Sequence, residues 1–131
     1  MKKEFLLISC LTPILSTCAS TEKNPTIAQQ LKIKCEMNDY NACNDLGYLN
    51  EYGMSLAVNK QAAFDLYKRS CNGNSPQGCN NLGRYYAFGT DDIVKIDLNK
   101  AIELFNKACQ LGEKPACSNL NILLLQNNKK K

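Results

Sequence analysis

Apolar residues return along this chain at the three- and four-residue intervals of a helix that buries one face. Ala63, Leu66, Tyr67 and Cys71 stand at that spacing, as do Ala101, Leu104, Phe105, Ala108 and Cys109. Asn59 and Asp97 precede those stretches, where a short polar side chain caps the first free amides of a helix. Gly73 with Pro76, and Gly112 with Pro115, interrupt the run, and helical spacing resumes beyond each. The pattern predicts an all-α chain of six helices, near 27–37, 41–52, 60–72, 76–88, 98–111 and 115–127.

The pattern also repeats. Leu46 recurs as Leu82 and Leu120, Gly47 as Gly83, Gly53 as Gly89, Ala63 as Ala101, Leu66 as Leu104, and Tyr67 as Phe105. Cys35 and Cys43, Cys71 and Cys79, Cys109 and Cys117 form pairs eight apart that recur after 36 and then 38 residues. The two additional residues fall in the loop Thr90 to Ile96. Periods of this size belong to stacked helical hairpins, in which each unit buries its apolar face only against its neighbours. Gly47 and Gly83 then lie inside a helix, where glycine costs about 1 kcal/mol against alanine unless a neighbouring helix packs on the bare backbone. Gly53 and Gly89 are expected as left-handed C-caps.

The interruptions decide what the cysteines do. Within one continuous helix, residues eight apart are separated by about 12 Å, beyond the roughly 7 Å that a disulfide bridges. A chain folded back at Gly73-Asn74-Ser75-Pro76 brings Cys71 to Cys79. Pairing Cys35 with Cys43, Cys71 with Cys79 and Cys109 with Cys117 therefore staples each turn between hairpins. The rival use, zinc, prefers tight C-x-x-C knuckles and histidine partners, and this chain has neither.

Disulfides need an oxidising compartment, and the start of the chain reads as an export signal. Met1-Lys2-Lys3 is a short basic start, and Phe5 to Leu15 is an apolar stretch too short to span a bilayer as a helix. Leu15-Ser16-Thr17-Cys18-Ala19 resembles a bacterial lipobox, in which cleavage precedes a lipid-modified cysteine; Thr17 departs from the usual small residue there. Ordinary cleavage nearby, for instance after Ala19, gives a soluble periplasmic or secreted protein instead. The expected organisation is a leader over 1–17, a lipid-anchored tether over 18–25, a repeat domain over 26–128 and a basic tail over 129–131. The lipobox resemblance further implies that a lipid-modified Cys18 followed by Ala19 and not Asp is sorted to the outer membrane.

Composition removes several functions. Of 131 residues none is histidine, which excludes Ser-His-Asp and Cys-His catalysis and His-ligated zinc. Five of the sixteen cations are Lys2, Lys3 and Lys129 to Lys131, so the formal charge of +4 sits at the ends. A nearly neutral body speaks against a nucleic-acid partner. No cofactor or metal site is expected. Asp91-Asp92 with Asp97 lacks the ligand spacing of a calcium loop and reads as turn and cap.

Ala42 to Gly53 with Leu46-Gly47, and Gly78 to Gly89 with Leu82-Gly83 and Tyr86, resemble the first helix of a Sel1-like repeat. Lys100-Ala101 opens a stretch similar to the second helix. The Cys-x7-Cys pairs resemble the cysteine-rich branch, the Helicobacter cysteine-rich protein family. Asn50 departs from the family's tyrosine, and Asn121 from its glycine. The stretch from Leu120 to Leu125, followed by Gln126-Asn127-Asn128, looks like a terminal cap. The resemblance implies a short right-handed solenoid of TPR-like hairpins stapled by three disulfides.

A solenoid of this kind presents a concave face lined by the first helix of each pair. Its non-core positions are Asn44, Asp45, Tyr48 and Glu51, then Asn80, Asn81, Arg84 and Ala87, then Ser118 and Asn119. A ladder of amides with Tyr48 and Arg84 between them suits an extended peptide, read through its backbone donors and acceptors; the same residues also suit the wet side of surface helices. The leading expectation is an exported module that binds a protein or peptide. Neutralising a toxin or an envelope enzyme is an alternative. The family resemblance further implies weak β-lactam binding or hydrolysis, but the only Ser-x-x-Lys is Ser20-Thr21-Glu22-Lys23 in the tether, without the companion motifs of a serine β-lactamase.

Overall fold

The computed structural model describes residues 24–90 and 92–129; the leader, Cys18, the Ser20–Lys23 motif and the last two lysines lie outside them. Six helices follow one another: α1 Ile27–Glu36, α2 Tyr40–Tyr52, α3 Lys60–Asn72, α4 Pro76–Phe88, α5 Leu98–Gln110 and α6 Lys114–Asn128. Their starts follow local chemistry. Thr26 and Gln29 form a reciprocal capping box on α1. Asp39, Asn59 and Asp97 accept from the third amide of α2, α3 and α5 at 3.1, 2.9 and 2.9 Å. In α4 and α6, Pro76 and Pro115 occupy the first turn, where a missing N–H costs nothing.

Each helix packs on the next, and α2 also packs directly on α4. The helices therefore form two layers. Across repeats α2 packs on α4 and Asn119 of α6 bonds to Asn80 of α4, whereas α5 reaches α3 through Lys107. We call the α2–α4–α6 layer the inner layer. Between the layers lies one core built from Ala63, Tyr67, Cys71, Leu82, Tyr85, Ala101, Leu104, Phe105 and Ala108.

The mid-helix glycines have the packing role that their cost demands. A Cβ on Gly47 would stand 2.8 Å from Cε1 of Tyr67, and one on Gly83 would stand 2.8 Å from Cε1 of Phe105. In both hairpins, α2–α3 and α4–α5, an aromatic ring of the second helix thus presses its Cδ1 and Cε1 atoms against the bare backbone of the first. The loop glycines differ from expectation at one position. Gly53 is a left-handed cap with φ 69° and ψ 30°, but Gly89 combines φ 69° with ψ 169°. The loop it opens is two residues longer and closes on itself, Thr90 N–H donating to Val94 O at 2.9 Å, so the chain leaves α4 in another direction.

All three disulfides form as the turns require, with Cα–Cα separations of 4.7, 4.3 and 4.7 Å. Each closes a three-residue turn whose middle residue is left-handed: Asn38, Asn74 and Gly112. Because short connections between packed helices alternate ends, all three bridges lie on one edge of the stack. Other inter-repeat bonds join them there. Ser70 Oγ donates to Tyr40 O at 2.6 Å, and Lys107 Nζ to Cys71 O at 2.9 Å. At the far end α6 covers the core with Leu120 and Leu123, yet leaves Ile122, Leu124 and Leu125 exposed, a less polar outer face than a terminal cap calls for.

A closed nine-residue loop is worth about 2.5 kcal/mol of chain entropy. Replacing Cys71 and Cys79 together by serine, both buried in the core, is expected to lower unfolding stability by about 2–5 kcal/mol in urea titration. The Cys109/Cys117 double variant, whose residues are half-buried, should lose less and show increased hydrogen exchange confined to α6.

Candidate functional site

The inner layer brings together most of the residues expected to line a binding face, but not in the roles first suggested. The amide ladder is internal. Asn81 Nδ2 donates to Asn44 Oδ1 at 2.8 Å, and one repeat later Asn119 Nδ2 donates to Asn80 Oδ1 at 3.0 Å. Asn44 and Asn80 are buried, and Asn44 Nδ2 turns to Asp45 at 3.2 Å. These asparagines are therefore the polar rungs between neighbouring repeats, each satisfied as a buried amide must be. Ala87 is buried as well, while Asp45 and Ser118 are exposed and Asn119 half-buried.

The exposed feature that remains is aromatic and cationic. Tyr48 and Tyr52, one turn apart on α2, stand with ring centroids 4.5 Å apart and are each about half exposed. Tyr52 was not singled out by the repeat pattern, although its i+4 relation to Tyr48 placed it on the same helix face. Arg84 of α4 reaches across: Nη2 donates to Tyr52 Oη at 3.3 Å and Nη1 to Asn81 Oδ1 at 3.2 Å. Its ion pair with Glu51 is long, at 3.9 Å. Burial works against the charge of Arg84, but the Tyr52 hydrogen bond and the Glu51 carboxylate outweigh it, and the group is held more firmly protonated than usual.

Glu51 is bound from beneath. The Tyr67 hydroxyl, fully buried, donates to Glu51 Oε2 at 2.7 Å. Burial first, and then that hydrogen bond and the Glu51 charge, push the Tyr67 phenol far above its ordinary value. Burial likewise pushes Tyr85 up to about 12, with Glu51 adding to it. Both phenols are hydrogen-bond donors at neutral pH, Tyr85 to Lys60 O at 3.4 Å. In the second repeat, the positions of Tyr67 and Glu51 are held by Phe105 and Ala87. The hydroxyl and its acceptor are thus present together or absent together.

From Glu51 and Arg84 the surface continues into a cleft of about 600 Å³ at the edge opposite the disulfides, walled by Lys60, Tyr85, Phe88, Val94, Lys95 and Ile96. None of these six was foreseen as a site residue; the length difference between the two loops was the signal available. Among the described residues no group of His, Cys, Asp and Glu is placed to hold a metal ion, and no helix is long and apolar enough to cross a membrane.

Removing the Tyr67 hydroxyl strands a carboxylate oxygen beside a buried ring. Tyr67→Phe is expected to cost about 1.5 kcal/mol. Combining it with Glu51→Ala recreates the apolar pair of the second repeat, so the double variant should lose less stability than the two single losses summed. Thermal denaturation of the four proteins checks this; simple additivity would refute the pairing.

Comparison with known proteins gives a consistent family. The family model for the Sel1 repeat matches residues 41–75 and 76–113, that is α2–α3 and α4–α5 with their turns. Cytochrome c oxidase assembly factor 7 of Xenopus tropicalis is 35% identical over 105 residues, which are 76% of this chain and 45% of that protein. The factor of the same name from Danio rerio is 31% identical over 104 residues, with the same shares. The chain thus spans under half the length of these relatives. Among solved structures, Helicobacter pylori cysteine rich protein B superimposes with a TM-score of 0.67 at 31% identity, covering 77% of this chain and 74% of its own. A protective antigen of uropathogenic Escherichia coli has a TM-score of 0.72 at 22% identity, covering 81% of this chain and 22% of its own, and shares the fold.

Proposed function

This chain belongs to the Sel1 repeat family, and from that premise we propose that it is a binding module that holds a protein or peptide partner on its inner layer. One observation carries the reading: with the asparagines consumed between repeats, the exposed centre of that layer is Tyr48, Tyr52 and Arg84, with Arg84 bonded to the Tyr52 hydroxyl and Tyr48 packed against the Tyr52 ring. Tyrosine and arginine combine large contact area with directional donors, and they dominate the energetics of protein interfaces. Arg84 is already positioned by Tyr52 and Asn81, so little side-chain freedom is lost when a partner arrives. The name of the Xenopus and Danio relatives, an assembly factor, agrees with a module that acts by binding proteins. The shared stretch is under half of those relatives, and their oxidase is not carried over as a partner of this chain.

The proposed place of action is outside the cytoplasm, in the bacterial envelope or beyond it. Three disulfides in a domain of this size favour an oxidising compartment, and the basic-apolar start followed by Cys18 suits export with a lipid anchor. Cys18→Ser should then move the protein from the membrane fraction to the soluble fraction; unchanged fractionation would refute the anchor.

The binding reading is tested by capturing partners from the native envelope with the oxidised protein and measuring the affinity of the recovered partner. Tyr48→Ala and Arg84→Gln are each expected to weaken it about tenfold or more, equivalent to about 1.4 kcal/mol, while the melting temperature stays within a few degrees. Affinity unaffected by both substitutions would remove the inner layer as the binding face.

A further inference from the structure

A repeat protein supplies its own control, because equivalent positions of two repeats share one scaffold role. Several positions at which the second repeat departs from the first lie around the cleft at the end of α4. Arg84 stands where the first repeat has Tyr48, Phe88 where it has Tyr52, and Lys95 where the shorter loop has Ala57. Lys60, on the opposite wall, stands where the second repeat has Leu98. The two inserted residues extend the loop over 89–97 past the helix end, and its Thr90–Val94 closure holds Val94, Lys95 and Ile96 as the far wall. None of these changes improves the core: Phe88 is 75% exposed and Ile96 63% exposed.

Among the described residues that line the cleft, three cations, Lys60, Arg84 and Lys95, stand with one carboxylate, Glu51. One oxygen of that carboxylate already accepts from Tyr67, and the other lies 3.9 Å from Arg84. Lys60 and Lys95 take part in neither of the two ion pairs found among the described residues. Beside this surplus of positive charge lies an apolar wall of Phe88, Val94 and Ile96. An inorganic anion satisfies the first half of the cleft and leaves the second wet. A cavity of about 600 Å³ is in the range that accepts a few side chains.

We propose that this cleft is a specificity subsite for an acidic residue followed by a large apolar one in the partner's peptide: the carboxylate is held between Arg84, Lys60 and Lys95, and the apolar side chain rests on Phe88, Val94 and Ile96. The inference rests on the reading of the inner layer as a peptide-binding face, with which the cleft shares Glu51 and Arg84. It adds what that reading leaves open, the chemistry of the segment recognised. Charge complementarity at close range sets register and rejects basic peptides, and the apolar wall supplies contact area that depends little on salt.

The test is selection of short terminally blocked peptides from a randomised display library on the oxidised protein, followed by fluorescence anisotropy with the best binder. Enrichment of Asp or Glu directly before Leu, Ile or Phe, with affinity falling about tenfold on exchange of the acid for its amide, supports the subsite. Lys95→Ala installs the residue of the equivalent loop, so it should leave the melting temperature unchanged while weakening the acidic peptide and erasing its preference over the amide. Peptides captured without an acidic preference, or with one that Lys95→Ala leaves intact, would overturn the subsite and leave the binding module standing. Failure to capture any peptide would overturn the subsite, while the binding module stands or falls with the partner capture and the Tyr48 and Arg84 variants. Binding of phosphatidylglycerol vesicles, dependent on Lys95, in place of peptides would assign the cleft to a lipid and overturn the proposal.

Discussion

The contact on which the rest of the stack depends is that of an aromatic ring with a stretch of helix that has no side chain. Tyr67 over Gly47 and Phe105 over Gly83 set how closely the two helices of a hairpin approach. A Cβ at either glycine would enter the ring, so the pairs must be held at the distance a hydrogen atom permits. That approach lets the Tyr67 hydroxyl pass the α2 backbone and meet Glu51 at 2.7 Å. Across the hairpins the asparagine rungs join α2 to α4 at 2.8 Å. The cost of glycine inside a helix, about 1 kcal/mol, is offset by burying a whole ring against backbone.

The second constraint is asymmetry between the two edges. One edge carries three bridges, three left-handed turn residues and the bonds from Ser70 and Lys107, and is cross-linked covalently at every turn between hairpins. The other edge carries loops over 53–59 and 89–97 with no covalent tie. Variation in length is tolerated at the second edge and not at the first, because an inserted residue in a three-residue turn would break the geometry a disulfide needs. The insertion in this chain sits at the permissive edge, and the cleft sits with it. The covalent ties and the proposed recognition site thus occupy opposite sides of the same stack, an arrangement in which loops vary on a fixed scaffold.

The interior polar groups divide the inner layer further. The same amide bond recurs from one repeat to the next, Asn81 to Asn44 and then Asn119 to Asn80, whereas Tyr48 and Tyr52 stay exposed beside it. The Tyr67–Glu51 pair, absent as a unit from the second repeat, places a negative charge beneath Arg84 and leaves the guanidinium charged and only partly neutralised. A fully satisfied arginine would be a structural strut. At 3.9 Å from its carboxylate, and bonded otherwise to neutral oxygens, Arg84 retains attraction for an incoming anion.

Six helices within two residues of their expected bounds, the caps Asn59 and Asp97, the three bridges and the roles of Gly47 and Gly83 were all legible in the linear chain. Each rests on local or periodic chemistry: apolar spacing, side-chain capping of free amides, and sulfur atoms that only a turn can bring together. The conformation of Gly89 was not legible, since its ψ depends on where a longer loop must go. The burial of Asn44 and Asn80 was not legible either, because a polar residue at a non-core position reads as wet until the next repeat is laid against it. Tertiary structure alone decided which amides pair, which tyrosine donates to Glu51, and that Lys60, Arg84 and Lys95, separated along the chain, share one cleft. Proximity between helices follows from packing distances, and those are set by rings, rungs and loop lengths acting together and not by any one segment.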